Sequence, residues 1–277
     1  MSFARSGIFH FSFITFHWPM NILVTAGNTQ SPIDRVRCIT NVFSGRTGAA
    51  IARTAWGRGH AVTLVTSHPE ALHDFGVNPR DPGERFAVQP YRTFDDLVAI
   101  LQARIRATAF DAVCHTAAVS DYLPAGAYAP DPGTFFNART GEWQGRGDVP
   151  TLTEQKAGKI KSSEPELWVR LVRAPKLIDR FRDPWGFRGI LVKFKLEVGL
   201  SDEELVDKAE VAREQSAADL MVANTLDAAD HWAYLGPVGD RYDLVPRREL
   251  PDRLVLAIEH LYQERGEHGE RAGRGDG

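Results

Sequence analysis

Two cysteines in 277 residues, Cys38 and Cys114, cannot build a disulfide framework. No Cys/His spacing resembles a zinc site, so both read as plain buried thiols in a reducing, cytoplasmic compartment. No basic block stands out against a formal net charge of −3, which leaves no electrostatic case for nucleic acid or a membrane surface as partner. No segment approaches transmembrane length. Residues 1–20 are aromatic and carry one arginine, but histidines and hydroxyl residues interrupt the run and no small-residue cleavage site follows it. Met20 stands directly before the first strand pattern, so residues 1–20 are expected to be an extension outside the fold.

The motifs of the commonest nucleotide enzymes are missing as well. The dinucleotide fingerprint needs three glycines between strand and helix, and Gly27-Asn28-Thr29-Gln30-Ser31-Pro32 supplies one. The second strand ends Thr66-Ser67-His68 without the acidic residue that would hold a ribose. None of the six tyrosines has a lysine four residues on, as a short-chain reductase would require. The phosphate loop ending Gly-Lys-[Ser/Thr] is absent. An NAD(P)-dependent reductase is the weaker alternative on these grounds.

What is present is a chain organised around Asn21 to Gly48. Ile22-Leu23-Val24 has the character of a buried parallel strand. A glycine loop follows at once, then a Pro-Ile-Asp turn, then Asn41-Val42-Phe43-Ser44-Gly45-Arg46-Thr47-Gly48, leading into a helix that begins near Gly48. Loops and helix N-termini beyond strand ends present N–H groups to anions, so two such loops in one crossover suggest a phosphate or carboxylate site. Ala61–Thr66 reads as the second strand, and residues 67–90 as loop. Thr93 caps a helix with Leu97, Ile100, Leu101 and Ile105 inward. Asp111–Val119 is the third strand. Strands alternating with helices predict an α/β fold, a Rossmann-like doubly wound, mostly parallel sheet.

Residues 123–158 are rich in Gly, Pro, Ala and Asp without periodicity, and read as an irregular flap or insertion after the third strand (within about 123–166). Leu167–Val172 alternates as a strand. Pro175 opens a short helix to about Phe181. Ile190–Leu196 is another strand, Ser201 and Glu204 form a capping box for a helix to about Gln215, and Asp219–Asn224 is a further strand. Tyr242–Val245 gives a short strand and Asp252–Glu264 a terminal helix. The domain is expected to span 21–265, with a disordered tail over 266–277.

Taken singly, the polar residues at these junctions leave two readings open. Asn41 caps a helix or serves chemistry. Lys159 and Lys161 share one face of an extended segment, as a solvated pair or as charges for an anion. Asp121 follows a buried strand, where α/β enzymes place functional carboxylates but where others merely cap turns. Phe194 is core or a base-stacking ring, and Glu197 a surface charge or a ligand.

Their order along the chain resembles the phosphopantothenate–cysteine ligase (phosphopantothenoylcysteine synthetase) family from about Asn21 to Asn224. Val24 to Arg37 is similar to the family's opening loop. Asn41-x-x-Ser-Gly-Arg-x-Gly48 is similar to its Asn-x-Ser-Ser-Gly-x-x-Gly signature, Ala117–Tyr122 to its Ala-Ala-Val-x-Asp-Tyr/Phe segment, and Lys159-Ile-Lys161 to its flap. Pro175-Lys-Leu177, Phe194–Glu197 and Val222–Asn224 follow in the family's order.

The resemblance implies ligation of 4′-phosphopantothenate to cysteine through an acyl-nucleotide, a step of coenzyme A synthesis. It implies Asn41 and Lys159 as catalytic residues. The nucleotide would meet Ala117, Ala118, Asp121, Ala174, Pro175, Lys176, Leu177, Phe194 and Lys208. Substrate and phosphate would meet Gly27, Thr29, Arg37, Ser44, Gly45, Arg46, Gly48 and Lys161. Magnesium would bridge phosphates without a dedicated set of protein ligands. ATP or CTP would be the co-substrate, with Lys-Ile-Lys-Ser-Ser163 and Phe-Lys-Leu-Glu197 leaning to ATP. A homodimer is implied, and a stand-alone synthetase, since 277 residues leave no room for the flavin-dependent decarboxylase domain fused to many bacterial members. Two departures stand out. Asn28 occupies the usual second glycine of the opening loop, and Phe43 the first serine of the signature. They motivate the alternative of a catalytically silent nucleotide-binding regulator.

Overall fold

The apolar run at Asn21 becomes the central strand of an eight-stranded sheet. The computed structural model describes residues 19–145, 149–155, 158–160 and 163–273, with side chains to 266. In chain order the sheet strands are β1 (Asn21–Ala26), β2 (Ala61–Thr66), β3 (Phe86–Pro90), β4 (Ala112–His115), β5 (Ile190–Glu197), β6 (Leu220–Thr225), β7 (Trp232–Val238) and β8 (Arg241–Pro246). They lie in the order β8-β7-β6-β5-β4-β1-β2-β3. All neighbours are parallel from β3 through β6, and β7 and β8 add antiparallel strands at one edge. This is the doubly wound, Rossmann-like order predicted, in which the winding reverses between β1 and β4.

Side chains of β1 feed both faces of the sheet. Ile22, Val24 and Ala26 join a core cluster with Ile51, Ala52 and Ala55 of α1 (Arg46–Gly57) and Leu254 and Ile258 of α4 (Leu250–Gly273). Leu23 joins the opposite cluster with Leu97 and Leu101 of α2 (Phe94–Ala107) and with Leu177, Phe181 and Trp185. Each leucine so enclosed contributes roughly 2 kcal/mol of transfer free energy. α3 (Asp202–Gln215) rests Leu205 and Ala209 on Met221 and Ala223. The capping boxes Thr93–Asp96 and Ser201–Glu204 start α2 and α3 where their sequences indicated. Among the described residues, no helix is long and apolar enough to cross a membrane.

Several expectations need correction. Residues 123–158 are not irregular where described. Tyr122–Pro130 is a strand between Leu152–Glu154 and Trp168–Arg173 in a separate three-stranded antiparallel sheet, and Phe135–Asn137 pairs with Glu142–Gln144. Pro124, Gly126 and Pro130 hid that strand, because its pairing comes from partners and not from intrinsic preference. The segment expected as a strand at Leu167–Val172 belongs to this small sheet and not to the main one.

The stretch 67–90 holds a 3₁₀ turn, Pro69–Phe75, and the edge strand β3. The third strand ends at His115, and residues 116–119 leave the sheet. The helix foreseen from Pro175 is only the 3₁₀ turn Ile178–Arg180, and β7 went unrecognised. α1 starts at Arg46, and α4 runs through Gly266 to Gly273, past the expected end at Glu264. Of the two cysteines, Cys114 is buried, with its thiol pushed up to about 12 by desolvation, whereas Cys38 is exposed.

At the end of β4, His115 is enclosed and its Nδ1 lies 3.0 Å from Thr25 Oγ1. Burial, aided by the charge of Lys193, pushes its pKa from 6.5 down to about 4. The unfolded chain therefore binds a proton between pH 6.5 and about 4 that the folded chain refuses, so stability falls on acidification through this window. The expected loss is about 3 kcal/mol. Urea titrations at stepped pH should show this slope in the wild type and a flatter one in His115→Asn; equal slopes would contradict the assignment.

Candidate active site

The crevice at the carboxyl ends of β1 and β4 is built from two loops zipped together by their backbones. Ala118 N–H donates to the Gly27 carbonyl at 2.8 Å, and Thr29 N–H to the Ala118 carbonyl at 3.4 Å. Side chains below them complete the seam. Thr116 Oγ1 donates to the Thr25 carbonyl (2.6 Å), and Ala117 N–H donates to Thr25 Oγ1 (3.1 Å). Thr29 Oγ1 lies 2.9 Å from Ser120 Oγ and accepts from Ser120 N–H. Thr29 is fully buried. Its side chain belongs to this seam.

The third loop, residues 41–45, closes onto the same seam. Asn41 Nδ2 donates to the carbonyls of Ala118 (3.2 Å) and Val119 (3.3 Å), bringing Asn41 to the two alanines expected beside it. Gly45 holds φ at 74°, and a Cβ there would stand 2.9 Å from the Gly27 nitrogen. A Cβ on Gly48 would lie 2.5 Å from Ala26 Cβ and 2.6 Å from Thr116 Oγ1. These glycines are therefore required by close backbone packing, where a methyl group would force a shift. Gly45 is the N-cap of α1 without a side-chain cap, so the first-turn N–H groups face the loop side with no capping side chain on them.

A hairpin, Gln30–Pro32 paired with Cys38–Thr40, carries the second half of the site. Its turn clasps the flap. Arg35 N–H donates to the Gly158 carbonyl, Ile160 N–H donates to Asp34 Oδ2 (3.1 Å), and Arg37 Nη2 donates to the Ile160 carbonyl (2.8 Å). Lys159 thus sits between two anchored residues, with its own side chain exposed. Arg37 also donates twice to Asp34, through Nε (3.0 Å) and Nη2 (2.7 Å). Those bonds, with the Val36 N–H, hold the Asp34 carboxyl far below the usual aspartate range. In this structure Arg37 is the clasp between the hairpin turn and the flap. Lys161 lies outside the described residues.

The remaining expected residues are more scattered. Ala174 N–H donates to the Asp121 carbonyl (2.8 Å), which joins these two; Asp121, Pro175 and Lys176 are exposed at this junction. Leu177 is buried in the α2-side core and Phe194 packs against the α1/α4-side core, so the sheet separates them. Lys208 Nζ donates to Glu197 Oε2 (2.8 Å), while Lys195 pairs with Oε1 (2.7 Å). Burial raises the Glu197 pKa, but these two hydrogen bonds outweigh it and the net shift is downward. Glu197 is therefore paired on both carboxylate oxygens, and Lys208 is one of its partners. Arg46 reaches outward to Asp74 (3.1 Å), away from the seam, and Ser44 is exposed. A depression of about 450 Å³ lined by Pro90, Tyr91, Arg92, Asp96, Ala99 and Ile100 lies by edge strand β3.

Sequence reading missed Asp34, Ser120 and the Ser67–His68 pair that meets the first loop. For Asp34 a signal existed, since Asp followed three residues later by Arg in a Pro-Ile-Asp turn is a local bridging pattern. Removing Arg37 removes the largest cause of the Asp34 shift. Arg37→Ala should return that carboxyl upward toward the ordinary aspartate range in carbon-13 titration and speed hydrogen exchange at Ile160. An unshifted Asp34 with unchanged exchange would contradict the clasp.

Residues 19–129 match the DNA/pantothenate metabolism flavoprotein C-terminal domain. A coenzyme A biosynthesis bifunctional protein CoaBC of Thermococcus kodakarensis is 34% identical over 247 residues, 87% of this chain and 51% of that protein. The chain spans about half the length of the curated relatives it matches along most of its own length. A crystal structure of a DNA/pantothenate metabolism flavoprotein from Streptococcus pneumoniae shares the fold at TM-score 0.68 and 27% identity, covering 87% of this chain and 99% of that one. A Cab2 mutant in complex with phosphopantothenate-cysteine shares the fold alone, at TM-score 0.65 and 18% identity over 90% of this chain and 89% of that one. With the opening loops and the doubly wound sheet in place, the chain is similar to the DNA/pantothenate metabolism flavoprotein C-terminal domain over residues 19–129 and to about half of the CoaBC protein along most of its own length.

Proposed function

We propose that this chain ligates 4′-phosphopantothenate to L-cysteine at the β1/β4 crevice. The observation that carries the reading is the meeting of Asn41 with Ala118 and Val119 at the seam, together with a flap that presents exposed Lys159 and is clasped to the hairpin that leads into Asn41. In the first step a carboxylate oxygen attacks the α-phosphorus of a nucleoside triphosphate, and pyrophosphate leaves. In the second the cysteine amine attacks the acyl carbon, the amide forms, and the nucleoside monophosphate leaves with the bonding electrons. A mixed anhydride is already a good electrophile, so the protein's task is positioning and charge neutralisation. No covalent nucleophile is needed. Asn41 orients the acyl-nucleotide for the amine, and Lys159 balances the charge that develops as pyrophosphate departs.

Magnesium belongs to this reading as an ion held largely by phosphate oxygens and water. Among the described residues no group of three or more His, Cys, Asp or Glu side chains is placed to hold a metal. Asp121 is the exposed carboxylate at the crevice that could meet it. When bound, the ion would neutralise phosphate charge. The nucleotide is proposed to be ATP, on the Phe194-Lys-Leu-Glu197 pattern. A homodimer in the cytoplasm completes the reading. Val36, Ile39, Val42 and Phe43 are exposed apolar side chains beside Asn41, an edge that a second copy would cover.

The test is pyrophosphate release with 4′-phosphopantothenate, cysteine and magnesium, given ATP and CTP separately. Release that depends on phosphopantothenate and yields amide is expected, faster with ATP. Lys159→Gln should slow acyl-nucleotide formation about a hundredfold. Asn41→Asp should let the acyl-nucleotide accumulate. Folded protein that releases no pyrophosphate with either nucleotide would overturn the ligase in favour of a silent binder.

A further inference from the structure

The Asn28 side chain, where a glycine would offer none, is the hub of a hydrogen-bond chain that reaches the Asn41 loop. Its Nδ2 donates to the Asn41 carbonyl at 2.5 Å. That carbonyl can only accept, so the amide orientation follows: Oδ1 faces the other way. There Oδ1 accepts from Ser67 Oγ (3.0 Å) and meets His68 Nε2 at 3.1 Å. The other ring nitrogen, Nδ1, lies 2.8 Å from Glu70 Oε1. Both partners of the ring are acceptors, so the ring donates on each side when both nitrogens carry hydrogen. Ser67 Oγ also accepts the Asn28 backbone N–H at 2.9 Å. Both backbone and side chain of Asn28 are therefore held from the end of β2.

Asn41 has two attachments to the seam. Its own amide reaches the Ala118 and Val119 carbonyls, and its backbone carbonyl is gripped by Asn28. Only the second leads on to His68 and Glu70. A Cβ on Gly27 would come within 2.2 Å of Ser67 Oγ and 3.2 Å of His68 Cδ2, so this pair is packed directly on the first loop. Resting on the ligase reading above, we propose that His68 is a positioning residue. Through Asn28 it fixes the backbone of Asn41, and so sets how well the acyl-nucleotide is presented to cysteine. The side chain at position 28 then does not impair the loop; it exchanges backbone freedom for a tether.

The experiment compares wild type, His68→Ala, Asn28→Ala and the double variant. In the wild-type background His68→Ala should slow amide formation about five- to tenfold, the effect of losing one hydrogen bond. Pyrophosphate release in the first step should be retained and acyl-nucleotide should build up. Hydrogen exchange at residues 41–45 should quicken. In the Asn28→Ala background the same substitution should change neither quantity further, because the tether is already cut. Equal effects in both backgrounds would mean a structural role independent of Asn28 and would overturn the proposal. If wild type makes no acyl-nucleotide, the ligase reading fails by itself. The exchange measurement still decides the tether: unchanged exchange on His68→Ala would refute it, and faster exchange seen only with Asn28 present would sustain it.

Discussion

The architecture of the candidate site depends on one close approach, that of the Gly45 backbone to the Gly27 backbone. With a Cβ excluded at 2.9 Å from the Gly27 nitrogen, the loop before α1 can lie against the loop after β1. That contact puts Asn41 within reach of the Ala118 and Val119 carbonyls. It also directs the N-terminus of α1 toward the crevice where the winding of the sheet reverses. Gly48 repeats the constraint one turn later, against Ala26 and Thr116. Any residue larger than glycine at these positions would separate the three loops, and the site would lose its shape before it lost any ligand-binding group.

Around this fixed seam the chain arranges attachments of different firmness. Backbone bonds and the buried Thr29–Ser120 pair hold the β1 and β4 loops. The flap, by contrast, is joined to the hairpin by a few bonds through Asp34 and Arg37. Lys159 rides on that lighter connection. Asn41 is held on the seam itself.

The doubly wound sheet was legible because its inner strands are buried on both faces and therefore read as short apolar runs, as in Ile22–Val24 and Ile190–Val192. The capping boxes at Thr93 and Ser201 were legible because their chemistry is local. The small antiparallel sheet was not, since Pro124 and Pro130 argue against a strand until Leu152–Glu154 and Trp168–Arg173 are seen beside it. At the site, the ordered loop motifs brought together Gly27, Asn41, Gly45, Ala117 and Ala118. They could not tell which polar groups face a ligand and which are spent internally. Thr29, Arg37 and Lys208 proved to be committed to Ser120, to Asp34 and Ile160, and to Glu197. Spacing along a chain reports which residues share a loop; the partner of each side chain is a tertiary fact.

The claim that the crevice between β1 and β4 receives the substrate is tested most directly by mapping amide shifts of the isotope-labelled protein on titration with 4′-phosphopantothenate alone. The account predicts saturable shifts concentrated in residues 41–48 and 117–121, with the depression beside β3 unaffected. Shifts confined to residues 90–100, or no saturable shift from folded protein, would contradict it.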